Sequence, residues 1–155
     1  MDKVIIYTDG SAKGNPGNGG YGVVLLSGGF QKNLSQGYVL TTNNRMELLA
    51  VITGLESLKR SCEVMVYSDS KYVIDSVEKR WVFGWEKKGF KGKKNPDLWK
   101  RFLKIYKQHQ VKFTWVKGHA GNKYNEVCDV LAVTAAESKN LIPDSEYELL
   151  VKNNK

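Results

Sequence analysis

Four acidic residues have the types and positions that a site for divalent metal ions would use: Asp9, Glu47, Asp69 and Asp129. Each also fits an ordinary structural role on its own. Asp9 suits a turn and Asp69 a helix N-cap. Glu47 suits a capping box with Asn44, and Asp129 a solvent-facing helix position. Together, however, four carboxylates would repel and raise one another's pKa values unless a divalent cation neutralised them. An all-oxygen ligand set favours Mg²⁺ or Mn²⁺ over zinc.

The surrounding sequence predicts elements that would bring these acids together. Apolar segments separated by glycine-rich turns indicate an antiparallel meander, followed by helices that alternate with two further strands. The predicted strands are 3–9, 20–27, 30–40, 63–68 and 111–116, and the predicted helices are 43–59, 70–77, one opening at 95–97, and 122–137. We therefore expect an α/β fold with a five-stranded mixed sheet, three antiparallel strands then two parallel ones, flanked by helices.

Chain direction determines where the acids lie in this fold. If the first strand runs up, the helix at 43–59 runs down and the fourth strand comes up parallel to the first. Asp9 and Asp69 then lie at the upper ends of neighbouring strands, and Glu47 lies in the first turn of the connecting helix. Asp129 follows about two turns into the last helix. This edge, beyond the carboxyl ends of parallel strands, is where open α/β sheets bind ligands.

The charge distribution indicates a polyanionic partner. The chain has 155 residues, with 24 Lys and Arg against 16 Asp and Glu, a net charge of +8 and a pI near 9.4. Residues 79–101 contain nine Lys and Arg against two acids, so this segment holds nearly the whole excess. Its cations alternate with five aromatic residues, a composition that favours contact with nucleic acid over a solvated basic face with core aromatics.

Other features limit the class of protein. The N-terminus lacks the pattern of a signal peptide, and there is no apolar run of about 18 residues, so we expect a cytoplasmic protein without a membrane partner. Cys62 and Cys128 lack zinc-ligand spacing and are expected to be reduced and buried. His109 is expected to be structural. We expect one domain over 1–155, with a basic protrusion at about 79–101, a polar tail from about 140, and a monomeric state.

The sequence closely resembles the bacterial type 1 ribonuclease H family from about Lys3 to Ala136. The motifs that carry the resemblance are YTDGSAKGNPGNGGYG, TTNNRMELLA, YSDSKYV, KGFKGKKNPDLW and WVKGHAGNKYNEVCD. The resemblance implies a ribonuclease H-like fold. It also implies a metal-dependent endonuclease that hydrolyses the RNA strand of RNA–DNA hybrids to 5′-phosphate and 3′-hydroxyl ends.

By this resemblance, Asp9, Glu47, Asp69 and Asp129 are the catalytic, metal-binding carboxylates. In a two-metal hydrolysis with Mg²⁺ or Mn²⁺, we expect Asp9 to bridge the two ions. Asp69 and Asp129 would hold the nucleophile-side ion and Glu47 the other, with the Gly10 carbonyl as an additional ligand. The resemblance implies that His119, which stands between Gly118 and Gly121 in the sequence, assists the reaction, and we assign it to proton transfer or product release.

The resemblance also identifies substrate contacts. Hybrid selectivity requires contacts to RNA 2′-hydroxyls and to a DNA strand of different shape. Asn15, Asn43 and Asn44 match hybrid-contacting positions, and Thr42 matches a DNA-phosphate contact. Trp81 and the lysines of the protrusion resemble the basic protrusion with which the family contacts the DNA strand. Those lysines are Lys87, Lys88, Lys91, Lys93 and Lys94.

Some positions depart from the family pattern. Lys71, which we include among the substrate contacts, replaces a common Gln, while Ala12 replaces a common Cys and Asn18 a common Pro. The protrusion is also shorter than in the best-known members. Two alternatives are an exonuclease of the same superfamily, which would usually carry Asp-x-Glu where this chain has Asp9-Gly10-Ser11, and a non-catalytic hybrid-binding module.

Overall fold

A mixed sheet organises the computed structural model, which describes residues 1–117 and 122–153. Within these residues the sheet has six strands in the order β5-β4-β1-β2-β3-β6. The strands are β1 (Asp2–Lys13), β2 (Gly17–Ser27), β3 (Phe30–Thr41), β4 (Cys62–Ser68), β5 (Gln110–Trp115) and β6 (Leu141–Pro143). The helices are α1 (Asn43–Glu56), α2 (Lys71–Glu78), α3 (Trp81–Lys87), α4 (Pro96–Tyr106), α5 (Lys123–Glu137) and α6 (Ser145–Asn153).

The strand directions confirm the predicted mixture of antiparallel and parallel pairing. Strands β1, β2 and β3 form the antiparallel meander, and β1, β4 and β5 are parallel. Helix α1 makes the crossover from β3 to β4, so the N-terminus of α1 lies at the edge where β1 and β4 end. The prediction of five strands was wrong by one, because β6 pairs with β3. This strand has only three residues and ends in proline, so it has no alternating pattern that a sequence could reveal.

Helix α1 begins earlier than its predicted cap. The Oγ1 of Thr42, the N-cap, accepts a hydrogen bond from the Arg45 backbone N–H at 3.2 Å. The capping box of Asn44 with Glu47 was therefore wrong, since Asn44 already lies inside the helix. Glu47 is the fifth residue of α1, just past its first turn, and it is buried. Because Glu47 does not take part in capping the helix, its side chain can contribute to a site at the edge where β1 and β4 end.

Helix α5 packs against the sheet through glycines that permit backbone contact. A Cβ added at Gly22 would overlap the Cys128 carbonyl oxygen, and one added at Gly37 would overlap that of Ala135. Side chains at these positions of β2 and β3 would push α5 away from the sheet. Because these glycines have no side chains, α5, which carries Asp129, packs directly against β2. The glycine of β2 at this contact, Gly22, is paired with Asp9 of β1.

The segment after α5 is joined to the rest of the fold by a buried ion network. Arg45, only 1% exposed, donates to both carboxylate oxygens of Asp144 at 2.8 and 3.0 Å. It also donates to both oxygens of Asp97 at 2.9 and 2.7 Å. Thr41 donates to Asp144 at 2.7 Å. The polar tail expected from the sequence is therefore built of β6 and α6, with Asp144 as the link to α1.

Both cysteines are buried free thiols, as predicted. The Nδ1 of His109 accepts a hydrogen bond from the Cys62 backbone N–H at 3.1 Å, which gives His109 a structural contact at the start of β4. Among the described residues, no helix combines the length and the apolar character needed to cross a membrane.

We expect Asp144→Ala to lower the free energy of unfolding by about 3 kcal/mol, because it leaves the buried Arg45 cation with one carboxylate fewer. Urea denaturation at neutral pH measures the change. The control is Glu137→Ala, which removes an ion pair with Lys13 whose side chains are about half exposed and should cost less than about 1 kcal/mol. Equal losses for the two variants would contradict a stabilising role of the buried network.

Candidate active site

Three of the four expected carboxylates meet at one edge of the sheet. Asp9 lies in β1, Glu47 in α1, and Asp69 directly after β4. Each contributes one oxygen to a cluster in which these ligand atoms all lie within 4.8 Å of one another. Asp9 and Glu47 are buried, and Asp69 is partly buried. Residues separated by about 60 positions along the chain therefore share one small volume.

The ordinary structural roles of these three acids are filled by other residues or excluded by position. Asp9 lies within a paired strand, opposite Gly22, and not in a turn. Ser70 and not Asp69 caps α2, since the Ser70 Oγ accepts from the Val73 backbone N–H at 3.2 Å. Thr42 caps α1 in place of the box that would have used Glu47. The three carboxylates are thus not explained by helix caps or turns.

A glycine next to Asp9 allows the cluster to close. A Cβ at Gly10 would overlap the backbone nitrogen of Glu47, so α1 approaches β1 more closely than any other residue type would permit. The Gly10 backbone N–H also donates to Asp9 Oδ1 at 2.9 Å, which orients that carboxylate.

Burial and mutual repulsion disfavour the ionised form of the clustered carboxyl groups. Burial, followed by the charge of Asp69, raises the pKa of Asp9 to about 7. Burial, followed by the charges of Asp9 and Asp69, raises the pKa of Glu47 well above its usual range. At neutral pH the cluster therefore holds protons that a cation could displace.

The donor atoms fit a hard divalent cation. All three donors are carboxylate oxygens, the ligand type preferred by Mg²⁺ and Mn²⁺. The Oε2 atom of Glu47 is buried, and no described residue gives it a hydrogen bond. A buried acceptor of this kind normally has a partner, and a metal ion at the cluster would supply one.

The structure does not bring the fourth carboxylate into the cluster. Asp129 is partly buried in α5 and lies outside the group of three. Its charge still contributes to raising the pKa of Asp9, after burial and the charge of Asp69. His119 lies outside the described residues.

Several expected substrate contacts line one groove of about 730 Å³. They are Asn15, Thr42, Asn44, Lys93 and Lys94. The Asn15 Oδ1 accepts a hydrogen bond from the exposed Asn43 backbone N–H at 3.1 Å, which ties the turn before β2 to the start of α1. The groove therefore joins the rim of the carboxylate edge to the basic protrusion.

The other expected contacts lie along the protrusion or beside the cluster. Trp81 opens α3 and is 47% exposed, and Lys87, Lys88 and Lys91 are exposed in and after this helix. Lys71 is exposed at the first position of α2, two residues after Asp69. None of these four lysines lines the groove.

Sequence reasoning missed part of the groove wall. Tyr147, Leu150 and Val151 of α6 line it, together with Asn95. The sequence predicts for Asn95 only the start of a helix, yet its Oδ1 accepts a hydrogen bond from Arg45 at 3.2 Å and its Nδ2 donates to the Tyr72 hydroxyl at 3.0 Å. The proximity of α6 to the groove depends on the long-range contact of Arg45 with Asp144, for which the local sequence has no signal.

The family model named RNase H matches residues 1–137, most of the chain. The chain belongs to the RNase H family. It is 52% identical to the Ribonuclease H of Rippkaea orientalis over 94% of this chain and 93% of that protein. It is 54% identical to the Ribonuclease H of Desulforamulus reducens over 91% of this chain and 92% of that protein.

Solved structures agree with this membership in the RNase H family. The crystal structure of LC9-RNase H1, a type 1 RNase H with the type 2 active-site motif, superposes with a TM-score of 0.79 at 31% identity, covering 97% of this chain and 81% of that one. LC11-RNase H1 in complex with an RNA/DNA hybrid gives a TM-score of 0.66 at 28% identity, covering 86% and 96% of the two chains. The fold expected of an RNase H is thus confirmed.

The raised pKa of Asp9 predicts how stability depends on pH in the absence of divalent metal. In the unfolded chain Asp9 ionises near its usual value of 3.8, but in the folded protein only near 7. Between these values the unfolded state releases its proton first, so the stability of the folded state falls as pH rises, and the loss is complete above about pH 7. We expect Asp9→Asn to be more stable than the wild type by about 4 kcal/mol at about pH 8, since one pKa unit corresponds to about 1.4 kcal/mol, and nearly equal to it at about pH 4.

Urea unfolding in EDTA at both pH values checks this expectation. The matched control is Asp2→Asn, whose exposed carboxylate pairs with Arg60 and whose loss should change stability by less than about 1 kcal/mol at either pH. An Asp9→Asn variant that is no more stable than the wild type at the higher pH would contradict the electrostatic cost of the cluster.

Proposed function

We propose that this chain is an endoribonuclease that hydrolyses the RNA strand of RNA–DNA hybrids to 5′-phosphate and 3′-hydroxyl ends. The observation that carries the proposal is the cluster of Asp9, Glu47 and Asp69, two of them buried and the third partly buried, whose ligand oxygens lie within 4.8 Å of one another. Membership in the RNase H family supports the reaction and the substrate class. The complex of LC11-RNase H1 with an RNA/DNA hybrid supports the same class of substrate.

Asp9, Glu47 and Asp69 would hold the divalent metal, with Asp129 completing the set from α5 and the Gly10 carbonyl as a further ligand. We favour Mg²⁺, with two ions present when substrate is bound and Mn²⁺ as a substitute. Bound ions of this type activate water and stabilise charge on the scissile phosphate and the leaving 3′-oxygen. Asp9, on the central strand β1, would contribute to holding both ions. We assign His119 to proton transfer or to product release.

The groove and the protrusion would hold the hybrid. The side chains of Asn15, Asn43 and Asn44 provide amide groups suited to 2′-hydroxyls, and the Thr42 hydroxyl suits a DNA phosphate. Trp81, Lys71 and the five lysines of the protrusion would contact the sugar–phosphate backbone of the hybrid. The expectations of a monomer and of a cytoplasmic location stay predictions.

The first experiment measures cleavage of an end-labelled hybrid with Mg²⁺. We expect internal cuts in the RNA strand, and we expect Asp9→Asn to lower the rate by at least about 100-fold while the variant still binds the hybrid, because the carboxylate acts on metal and not on nucleic acid. Asp2→Asn, which changes an exposed acid at the opposite end of β1, serves as the control and should cut at the wild-type rate.

Three results of this assay would overturn the assignment. Digestion that proceeds from the RNA ends would indicate the exonuclease alternative. Binding of the hybrid without cleavage by the wild type would indicate the non-catalytic module. Equal cutting of double-stranded DNA would contradict selectivity for the hybrid.

The protrusion predicts a measurable salt dependence of hybrid binding. Changing Lys87, Lys88, Lys91, Lys93 and Lys94 together to Gln should weaken binding and flatten the slope of log K against log salt. The slope should change by about 0.7 to 0.9 for each phosphate that the protein no longer neutralises. Binding in EDTA at several salt concentrations measures the slope without cleavage.

A matched control changes five exposed lysines that belong neither to the protrusion nor to the groove, namely Lys3, Lys32, Lys59, Lys112 and Lys139. This variant carries the same reduction in net charge, so it separates local phosphate contacts from the overall attraction of a basic protein. An equal flattening of the slope in both variants would contradict a specific role for the protrusion.

A further inference from the structure

Trp115 ends β5 at the edge of the sheet that carries the carboxylate cluster. It lies opposite Ser68 in the parallel pairing of β4 with β5, and it is 44% exposed. Its indole Nε1–H donates to the backbone carbonyl oxygen of Asp69 at 3.3 Å. The indole therefore contacts the backbone of a residue whose carboxylate belongs to the cluster.

The chain around Asp69 is fixed by several hydrogen bonds, and Trp115 contributes one to the backbone of Asp69 itself. The Val116 backbone N–H donates to the Ser68 carbonyl at 2.8 Å. The Ser70 backbone N–H donates to the Ser68 Oγ at 3.0 Å. These bonds hold the residues on either side of Asp69, and the bond from Trp115 limits rotation of the peptide that follows Asp69. The direction of the Asp69 side chain depends on that peptide.

The same indole contacts a second residue of the site. The Nζ of Lys71 lies 4.0 Å from the centroid of the Trp115 ring, the geometry of a cation–π interaction. One side chain thus donates a hydrogen bond to Asp69 through its N–H and receives the ammonium group of Lys71 on its ring face. Lys71 stands at the start of α2, next to the cluster.

We propose that Trp115 is a positioning residue that acts through both neighbours. Its N–H orients Asp69 for metal binding, and its ring holds the Lys71 ammonium at the place where it meets a phosphate of the hybrid. The proposal rests on the proposed function, and it assigns to Trp115 no contact with the reacting atoms. Outer groups that orient metal ligands commonly change metal affinity by 10-fold or more when they are removed.

Two substitutions separate the N–H from the ring. Trp115→Phe keeps an aromatic face for Lys71 and removes the donor to Asp69, whereas Trp115→Leu removes both. Calorimetric titration of the substrate-free protein with Mg²⁺ should show that each variant binds the metal about 5- to 10-fold more weakly than the wild type. Hybrid binding in EDTA should stay at the wild-type level for Trp115→Phe and fall for Trp115→Leu to the level of Lys71→Met.

Trp99→Phe is the control for the removal of an indole donor in general. The buried Trp99 donates through Nε1 to the Tyr72 hydroxyl at 2.8 Å, a bond that involves none of the three clustered carboxylates. We expect this variant to lower Tm and to leave Mg²⁺ affinity unchanged. The exposed Trp115→Phe should show the reverse pattern, weaker Mg²⁺ binding with little change in Tm, which a merely structural role would not produce.

The proposal is overturned if Trp115→Phe binds Mg²⁺ as tightly as the wild type, or if both Trp115 variants bind the hybrid equally in EDTA. It is also overturned if the wild type binds no Mg²⁺ without substrate. Failure of the proposed function gives a different result. In that case the wild type does not cleave the hybrid, while the difference in Mg²⁺ affinity between wild type and Trp115→Phe is still present.

Discussion

The close contact between β1 and α1 at Gly10 is the constraint on which the site depends. No side chain fits there, because a Cβ at position 10 would overlap the backbone of Glu47. The contact places the second turn of α1 directly on the strand that carries Asp9, and it is the reason that Asp9 and Glu47 share one volume. Parallel pairing of β1 with β4 then adds Asp69. The cluster is thus a consequence of backbone packing, and the carboxylates themselves oppose it.

The free-energy cost of bringing these carboxylates together must be offset by other contacts in the fold. Burial of Asp9 and Glu47 raises the pKa values of both carboxyl groups, which means that the ionised site costs stability. The same helix that carries Glu47 also carries Arg45, whose cation is buried between Asp97 and Asp144. A helix pinned from α4 and from the C-terminal segment cannot easily withdraw from β1. The ion network therefore holds Glu47 in place from the far side of α1.

Much of this arrangement could be predicted from the sequence, and the reasons for the failures are specific. Asp9 and Asp69 followed from strand direction, because parallel strands joined by a crossover must end at the same edge. Glu47 followed in the same way from the direction of the crossover helix, whereas the capping box was wrong, since both Asn44 and Thr42 are good capping residues and only the backbone geometry selects Thr42. Strand β6 and the contact of Trp115 with Asp69 depend on pairing between distant segments, and no local pattern encodes that pairing.

The basic protrusion combines a high positive charge with an ordered, packed aromatic core. Its cations repel one another, yet its aromatic residues pack as a core would, with the Trp85 and Trp99 rings 5.9 Å apart and Phe90 and Trp99 buried. The Lys93 ammonium lies 5.3 Å from the Trp85 ring centroid, so part of the positive charge rests on an aromatic face. The sequence alternatives of a nucleic-acid contact and a core with a basic surface are therefore compatible. The core gives the lysines a fixed support, and a fixed support lowers the ordering entropy that binding a nucleic-acid strand must overcome.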